Sequence, residues 1–485
     1  MKIKIIKKLI KRNVVKIKKN KTTTIAVIFC FVYALAFSLI SIHRFWQFDV
    51  FYYDFGIFDT ALWKVAHFQA PIIEHFRLGG KWIFADHFNP SIFFLSPLYW
   101  FTDKSEVMLV AQSVIVAISG SIIYFIGKKV TKNTIFSLGV MVSYLLFISV
   151  QNALITYFHE ATISTLPLVL AIYFFITKKY KWYFLSFLIF LGGKESNFAV
   201  GISLAIGILL LDFKHNRKLS IGTALISLIW GLVAIKLIIP FFSGGEYLYS
   251  VSLPTNPITF LGSYINNPQK VNTLLISGLS FGFLPLLSFQ FLPAVFIDFA
   301  TRFYPSFLSL SWGVTFHYGA MTGAVLAISS VFSHSFLRKF LSVKVITFYG
   351  IGLILLSFFL HRFVTHGPLG LAYNQAFYQH SKDFAFLTDM VNLVPAGASI
   401  MTQNNIASHF THEKVTLLRD KCEPCTSEHY RSIMPDYIVI DVRDGQGPNN
   451  YFGVTELSVI LKSLQADGEY EAIYHKGDQY IFKKR

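Results

Sequence analysis

Long apolar runs separated by short basic loops constrain this chain more than any other feature. The 485-residue sequence is 54% hydrophobic, only 14% of its residues are charged, and Phe alone contributes 51. A soluble globular chain carries roughly 25% charged residues, and a helix needs about 20 apolar residues to cross a bilayer. The sequence therefore predicts an α-helical polytopic membrane protein.

The net charge of +17 is distributed as in a membrane protein. Lys and Arg are concentrated in the first 22 residues and in short loops between apolar runs, which is the pattern of the positive-inside rule. This placement argues against nucleic acid as a partner. It favours contact between the basic N-terminus and anionic membrane lipid.

The same rule orders the crossings. The run at about 24–42 follows basic residues and lacks a small-residue cleavage site, so we interpret it as an uncleaved signal anchor. If 90–101 crossed the membrane, Lys128 and Lys129 would lie outside, so it is predicted to be interfacial or re-entrant. About eleven crossings are expected in total, and the run at 24–42 is the first. The remaining ten are at about 106–127, 134–155, 161–177, 182–211 (two short crossings broken at 192–196), 219–242, 272–300 (a proline-interrupted pair), from His317, and 345–360.

This order predicts three parts. Residues 1–22 form a basic cytoplasmic N-terminus, residues 23–360 a transmembrane domain with a first outer loop at 44–105, and residues 361–485 an extracytoplasmic α/β domain. Strands are expected at 398–401, 436–441, 470–474 and 479–482, and a helix at 454–465. Cys422 and Cys425 lack a second pair for zinc, so a local disulfide or two free thiols remain open.

Acidic residues and histidines of the apolar part fall on the predicted outer face. Because the positive-inside rule constrains cations and not acids, this clustering is an independent observation. It predicts one polar cavity at the outer membrane surface. The residues are Asp49, Asp54, Asp59, Asp86, His87, His159, Glu160, Lys194, Glu195, Glu246, Asp298, Arg302 and His317.

Several of these residues also have a purely structural interpretation. Asp49 is expected to be hydrated at the end of the first span. Asp59 lies about 140° from Asp54 around a helix, so it is equally suited to packing or capping. Lys194 and Glu195 form either a structural pair or a cation for a phosphate beside an orienting carboxylate. A Walker A motif and a dinucleotide glycine fingerprint are absent from the sequence, so ATP-driven transport is unsupported.

Four motifs in order resemble an uncharacterised family of predicted prokaryotic multipass membrane proteins, a domain of unknown function. They are Asp54-Phe-Gly-Ile-Phe-Asp59-x-x-Leu-Trp63, Asp86-His87-Phe, Phe158-His159-Glu160 and Gly193-Lys194-Glu195. The likeness covers most of residues 45–340 and, more weakly, the C-terminal domain. That family in turn resembles the GT-C glycosyltransferases in its many spans, long acidic first outer loop and outer C-terminal domain.

The resemblance implies a glycosyltransferase that takes sugar from a polyprenyl-phosphate-linked donor at the extracytoplasmic face of the plasma membrane. It assigns Asp54 as base or metal ligand, although many GT-C members have Asp-Glu or Asp-x-Asp where this chain has Asp54-Phe55. Lys194 and Arg302 would hold the lipid phosphate. Positioning of donor, acceptor or a divalent metal would fall to His87, His159 and Glu160. Substrate binding would also involve Asp59, Asp86, Glu195 and His317. Whether a divalent metal (Mg²⁺ or Mn²⁺) takes part, and which acceptor is used, stay open.

Two other functions fit parts of the sequence. Broken helices carrying polar residues also suit a transporter or lipid flippase, which would place polar residues at mid-membrane depth and on both sides. A non-catalytic envelope protein would use its outer domain to bind a partner and would leave the cavity without a lipid.

Overall fold

The computed structural model describes residues 21–76, 80–245, 247–249, 256–304, 309–418, 429–447, 449–451 and 457–485. Glu246, Cys422 and Cys425, singled out above, lie outside the described residues. So does nearly all of the basic N-terminal segment, which is described only from Lys21.

Long apolar helices form the membrane part. Among the described residues, five are long and apolar enough to cross a membrane. A sixth candidate is the pair Thr134–Leu146 and Ile148–Ile155, bent by 44° where Phe147 takes an extended backbone. All six fall on predicted spans, whereas the count of about eleven crossings stays a prediction. The five helices are Lys21–Trp46, Glu106–Thr131, Phe213–Ser243, Gly319–Phe340 and Val343–Val364.

Shorter helices fill the space between them. The predicted break at 192–196 is confirmed, since one helix ends at Leu191 and the next begins at Asn197. Prolines also interrupt the 272–300 region as expected. The shorter helices of the membrane part are Glu160–Ile163, Thr165–Ile176, Tyr180–Leu191, Asn197–Leu211, Pro257–Gly262, Pro268–Ser280, Leu284–Leu287, Leu292–Phe303 and Ser309–Trp312.

Charges at the helix ends suit the helix dipole, which favours anions at the N-terminus and cations at the C-terminus. Glu106 lies in the first turn of its helix and Lys128 and Lys129 in the last. The helix Gly319–Phe340 is central and mostly buried. The helices Phe213–Ser243 and Val343–Val364 are peripheral and expose apolar side chains, as a lipid-facing helix does.

The first outer loop folds into short elements on one end of the helices. Its segment Pro90–Trp100 is a 3-10 helix and not a spanning α-helix, as predicted. Pro90 starts it and Pro97 removes a backbone donor inside it, which disfavours an α-helical hydrogen-bond ladder. The other elements are a π-turn at Tyr52–Gly56, a helix at Ile57–Ala66, 3-10 turns at Glu74–Phe76 and Ile83–Ala85, and the paired strands β1 (Ile72–Ile73) and β2 (Lys81–Trp82).

The C-terminal part contains a five-stranded mixed sheet in the order β4-β3-β5-β7-β6. Strand β3 pairs in parallel with β4 and β5, and the other pairs are antiparallel. The four predicted strands are confirmed, and the helix predicted at 454–465 is confirmed from Leu457, since 454–456 lie outside the described residues. Strand β4 was missed because four residues give too short an alternation to detect. The strands are β3 (Ser399–Thr402), β4 (Lys414–Leu417), β5 (Tyr437–Asp441), β6 (Tyr470–Lys476) and β7 (Gln479–Lys484).

A chain of short helices links the last membrane helix to this sheet. The last membrane helix continues through a π-turn at Leu360–Val364. The linker helices are Pro368–Tyr373, Gln375–His380, Ser381–Phe384 and Ala385–Val391, and the sheet is flanked by Asn404–Ala407, His429–Ile433 and Leu457–Ala466.

The first loop and the C-terminal sheet share one hydrophobic cluster. Phe55 and Leu62 of the loop belong to the same buried group as Ile406, Val439 and Ile481 of the C-terminal part. Burial of apolar surface contributes about 25 cal/mol per Å², so this cluster holds the sheet against the loop.

Asp59 lies at the centre of that contact and is fully buried. Tyr99 donates a hydrogen bond to one carboxylate oxygen. Thr411 donates to the other at 2.6 Å, and Nε2 of His412 lies 3.3 Å from it. The next residue, Thr60, donates to the Thr411 carbonyl oxygen at 2.7 Å. Asp59 therefore joins two parts of the first loop to the C-terminal part.

We predict that Asp59→Ala loosens the C-terminal part from the membrane part. Hydrogen bonds to a charged group contribute about 1.5–3 kcal/mol each, so the free energy of unfolding should fall by about 3 kcal/mol. Thermal unfolding in detergent and proteolysis of the linker measure the effect. Asp103→Ala is the matched control because Asp103 is an exposed acid of the same loop. Equal unfolding temperatures for the two variants would contradict the role given to Asp59.

Candidate active site

Asp54 occupies an unusual turn at the start of the first outer loop. Its backbone has φ 88° and ψ −80°, close to the classic γ-turn, a rare and strained conformation for a residue with a side chain. Such a conformation costs on the order of 1–3 kcal/mol and is retained where the surroundings enforce it. Gly56 makes room for the turn, because a Cβ there would approach the Tyr52 ring to 2.2 Å.

The C-terminal part braces this turn through Asn404. The Tyr53 backbone N–H donates to Oδ1 of Asn404 at 2.8 Å. Asn404 is itself buried, and its Nδ2 donates to the Asn449 carbonyl oxygen at 2.8 Å. The residue immediately before Asp54 is thus fixed from outside the loop.

The Asp54 carboxylate is half-buried, and within the described part of the chain no hydrogen bond or ion pair of its oxygens is formed. Burial raises the pKa of Asp54; Glu160 and Asp86 add to the increase, and His159 and Lys194 oppose it. These four groups come from three separate segments of the sequence. The fold therefore brings Asp54 into the field of the residues that the motifs singled out.

Lys194 and Glu160 form a buried ion pair beside Asp54. Nζ of Lys194 lies 2.8 Å from Oε1 of Glu160, and Nδ1 of His159 lies 2.8 Å from Oε2. Burial acts to lower the pKa of Lys194, but Glu160 and Glu195 outweigh it, so that pKa is raised. The ring of His317 stacks on His159 with centroids 3.4 Å apart. Lys194 thus stays charged although it is largely buried.

Glu195 anchors a second group that adjoins the first. Nδ1 of His87 lies 2.8 Å from its Oε1, and the hydroxyl of Tyr247 donates to the same oxygen at 2.7 Å. The hydroxyl of Tyr249 donates to Asp86 at 2.7 Å, and its ring stacks on His87. Burial and the neighbouring acids raise the pKa of Tyr247 and of Tyr249. Both phenols therefore remain protonated donors.

Two glycines allow the turn 192–196 to approach its neighbours closely. A Cβ at Gly193 would lie 1.9 Å from the Ser164 hydroxyl, and one at Gly192 would lie 2.3 Å from the Ser91 hydroxyl. The Ser91 backbone N–H also donates to the Gly192 carbonyl at 2.9 Å. This packing places Lys194 and Glu195 between the helix that starts at Glu160 and the first outer loop.

A buried glutamine of a membrane helix fixes the His159 segment. The His159 backbone N–H donates to Oε1 of Gln112 at 2.9 Å, and Nε2 of Gln112 donates to the Tyr157 carbonyl at 2.8 Å. Tyr157 has φ 118°, which is strained for a residue with a side chain. The loop that carries His159 and Glu160 is therefore held from the membrane side.

We call the group Asp54, Asp86, His87, His159, Glu160, Lys194, Glu195 and His317 the acid–base cluster. The structure brings these eight predicted residues together but leaves the other two outside. Asp59 holds the first outer loop to the C-terminal part through Thr411 and His412. Arg302 is buried, and each of its three guanidinium nitrogens donates a hydrogen bond, to the carbonyls of Ser311 and Gly313 and to Thr322, so it is held by its own segment and not by the cluster.

Asp49 and Asp298, which were also predicted on the outer face, lie outside the acid–base cluster. Asp49 pairs with Arg44 at 2.9 Å and is half-exposed, which agrees with the hydrated position predicted for it. Asp298 is buried beside Arg302, away from Asp54.

The cluster does not fit a divalent metal. Among the described residues, no group of three or more His, Cys, Asp or Glu side chains is arranged as a ligand set. Mg²⁺ and Mn²⁺ prefer several oxygen ligands, whereas Glu160 and Glu195 are engaged by Lys194 and His87, and the Lys194 ammonium is itself a cation.

The sequence model of a family described as predicted membrane protein (DUF2079) matches residues 44–478. The chain belongs to this family. This confirms the family expected from the four motifs, and the matched range includes the whole acid–base cluster. No curated protein matches the chain in sequence.

Among solved structures, the chain is similar to ArnT from Cupriavidus metallidurans in two crystal structures. The one bound to undecaprenyl phosphate has 9% identity over 94% of this chain and 97% of that chain, with a TM-score of 0.48. The apo structure has 11% identity over 92% and 97%, with a TM-score of 0.42.

The sequence patterns did not identify several residues of the site in this DUF2079 member. Tyr247 and Tyr249 lie in a loop with no hydrophobic pattern; their alternation in Tyr-x-Tyr was the only signal available. Gln112 lies inside a spanning run, where a single amide stands out by polarity alone. Asn404 gives no signal, because its role depends on a contact 351 residues away along the chain.

We predict a pH-dependent stability that depends on His87. Burial and Lys194 lower the pKa of His87, but Glu195 and Asp86 outweigh them and the pKa is raised above 6.5. Burial would raise the pKa of Glu195, but His87 and Lys194 hold it below its usual range. The ion pair therefore stabilises the fold below about pH 6.5 and is lost as the pH rises through the raised His87 pKa.

The unfolding temperature of the wild type should fall as the pH rises from about 6.5 through the raised His87 pKa. That of His87→Gln should fall less over the same range. Differential scanning fluorimetry in detergent between pH 6 and pH 9 measures both. His215→Gln is the control, because His215 is exposed and pairs with Asp212 far from the cluster. Identical pH profiles for wild type and His87→Gln would contradict this assignment.

Proposed function

We propose that this protein is a membrane glycosyltransferase of GT-C type that uses a polyprenyl-phosphate-linked sugar donor at the extracytoplasmic face. The observation that supports it most directly is that one site contains both a carboxylate and an ammonium. The carboxylate of Asp54 lies on a strained turn and has no partner among the described residues, and the ammonium of Lys194 is largely buried. Sugar transfer from a lipid phosphate needs a base for the acceptor and a cation for the phosphate that leaves.

Asp54 is suited to the role of general base. An ordinary Asp has a pKa of about 3.9 and is a weak base near neutral pH, whereas the pKa of Asp54 is raised. A base closer in pKa to the working pH transfers protons more effectively. Its strained turn is braced by Asn404, which keeps the carboxylate in place.

The proposed reaction is a single displacement. Asp54 accepts the proton of an acceptor hydroxyl while that oxygen forms a bond to the anomeric carbon of the donor sugar. The bond between the anomeric carbon and the phosphate oxygen breaks, and the electron pair leaves with the polyprenyl phosphate. Because attack and departure occur on opposite sides, the anomeric configuration of the sugar is inverted.

Lys194 would stabilise the phosphate that gains charge. An ammonium has three N–H donors, and Glu160 is the nearest acid to it at 2.8 Å, so further donors can serve phosphate oxygens. Protonated His87, with its raised pKa, adds a second cation nearby. The hydroxyls of Tyr247 and Tyr249 and the ring nitrogens of His159 and His317 would orient the sugar.

The position of the site along the helices supports the proposed side. Glu106, His159 and Glu160 lie at one end of their helices. At the opposite end, Lys128 and Lys129 lie in the last turn of the Glu106–Thr131 helix and Lys178 follows the helix that ends at Ile176. Basic loops face the cytoplasm, so the cluster is assigned to the other face, where polyprenyl-linked sugars would enter from the bilayer. The same argument assigns the C-terminal part to that face.

We predict that Asp54→Asn and Asp54→Gly both lose transfer and that Asp54→Gly also stabilises the fold. Loss of a general base lowers the rate about 10²–10⁴-fold. Gly adopts φ > 0 without strain, so Asp54→Gly should unfold at a higher temperature than the wild type. Release of undecaprenyl phosphate from a panel of radiolabelled undecaprenyl-phosphate sugars, with protein in liposomes, measures transfer.

Asp49→Asn is the matched control for these variants, since Asp49 is a half-exposed acid five residues earlier. It should retain transfer. If Asp54→Asn transfers sugar at the wild-type rate, Asp54 is not the base and the proposed mechanism fails.

We also predict that Lys194 binds the lipid phosphate independently of Asp54. A hydrogen bond to a charged group contributes about 1.5–3 kcal/mol, so Lys194→Gln should weaken undecaprenyl phosphate binding about 10–100-fold. Asp54→Asn and the control Lys104→Gln, an exposed lysine of the first loop, should bind normally. A scintillation proximity assay with labelled lipid measures binding. Equal affinity for Lys194→Gln and Lys104→Gln would contradict the assignment.

A further inference from the structure

A cavity of about 580 Å³ lies where the last membrane helix passes into the linker to the C-terminal sheet. It shares no residue with the acid–base cluster. Its walls are formed by the end of the helix Ile148–Ile155, by the π-turn Leu360–Val364 and by the linker helix Pro368–Tyr373. The polar lining consists of His361, Arg362, His366 and Asn374, and Ile155, Leu371 and Tyr373 supply apolar surface.

Arg362 gives the polar lining its positive charge. Arg362 and His366 are exposed, and in the described ranges no acid lies within ion-pair distance of the Arg362 guanidinium, whose recorded contact is the Phe363 ring at 6.0 Å. His361 is buried against Gln151, with the two nitrogens 3.3 Å apart. Arg presents planar donors that suit phosphate oxygens.

An exposed apolar stripe of the last membrane helix ends next to a lining residue of the cavity. Leu355, Phe359 and Phe363 follow one another at intervals of four residues on the last membrane helix, so they form one stripe. They are 66%, 54% and 65% exposed, and the stripe ends beside Arg362. A hydrocarbon chain lying along this stripe would bring an attached headgroup to the guanidinium.

We propose that this cavity binds the phosphate headgroup of an anionic membrane phospholipid, whose acyl chain lies along the stripe Leu355, Phe359 and Phe363. The basic lining matches the phosphate and the apolar approach matches the chain, which a free phosphate ion lacks. The bound lipid would brace the linker, because Gln151 joins His361 to the Leu369 backbone N–H at 3.1 Å. This inference does not depend on the proposed sugar transfer.

The test is native mass spectrometry of the purified full-length protein with phosphatidylglycerol, phosphatidylcholine, undecaprenyl phosphate and inorganic phosphate as probes. One basic residue at a membrane surface contributes about five-fold in binding of anionic lipid. Arg362→Gln should therefore retain phosphatidylglycerol about five-fold less well, and Arg362→Lys should restore most of it. The control Lys382→Gln removes an exposed cation of the same linker outside the cavity and should retain the lipid like the wild type.

Phosphatidylcholine should show no dependence on Arg362, since its choline offsets the phosphate charge. Equal retention of phosphatidylglycerol by Arg362→Gln and Lys382→Gln would overturn the proposal. Displacement of phosphatidylglycerol by millimolar inorganic phosphate would assign the cavity to a soluble anion. Displacement by undecaprenyl phosphate in an Arg362-dependent manner would assign it to a polyprenyl lipid. Either of these results would overturn the phospholipid assignment.

Discussion

Contact between the C-terminal sheet and the first outer loop is the constraint on which the candidate site depends. Asn404 accepts the N–H of Tyr53, and the adjacent Asp54 adopts a backbone that a free loop would avoid. Asp59 holds the same contact five residues further on, through Tyr99, Thr411 and His412. The two acids of one motif thus have different roles. Asp59 fixes the loop, and the Asp54 carboxylate keeps no partner among the described residues.

Charge balance explains the rest of the cluster. Glu160 and Glu195 are fully buried, which would be costly for unpaired carboxylates. Lys194 and His159 engage the first, and His87 with Tyr247 engages the second. Asp54 receives no such partner among the described residues, and its pKa is raised. Buried ion pairs contribute little net stability in many proteins, so their concentration at one place is more easily explained by a function than by folding.

The two ends of the membrane part differ in composition for a physical reason. Lys128 and Lys129 lie in the last turn of one helix and Lys178 just after another, and the acids gather at the opposite end. Lys194 and Arg44 lie on the side of the acids and pair with Glu160 and Asp49. Arg362 lies on the same side at the end of an exposed apolar stripe and has no ion-pair partner among the described residues, so the partner we propose for it is an anionic lipid.

The sequence alone determined the class, the positions of the long helices, the break at 192–196 and most of the C-terminal strands, because these depend on local periodicity and on runs of apolar residues. It also singled out the residues of the acid–base cluster, since charged side chains stand out against an apolar background. Only the tertiary structure decided which of them meet. Asp59 and Arg302 carry the same sequence signal as Asp54 and Lys194, but their partners, Thr411 for one and the carbonyls of Ser311 and Gly313 for the other, are set by packing between distant segments. Asn404 and the tyrosines of the 247–249 loop entered the site for the same reason, because hydrogen bonds across 351, 52 and 163 residues leave no local pattern.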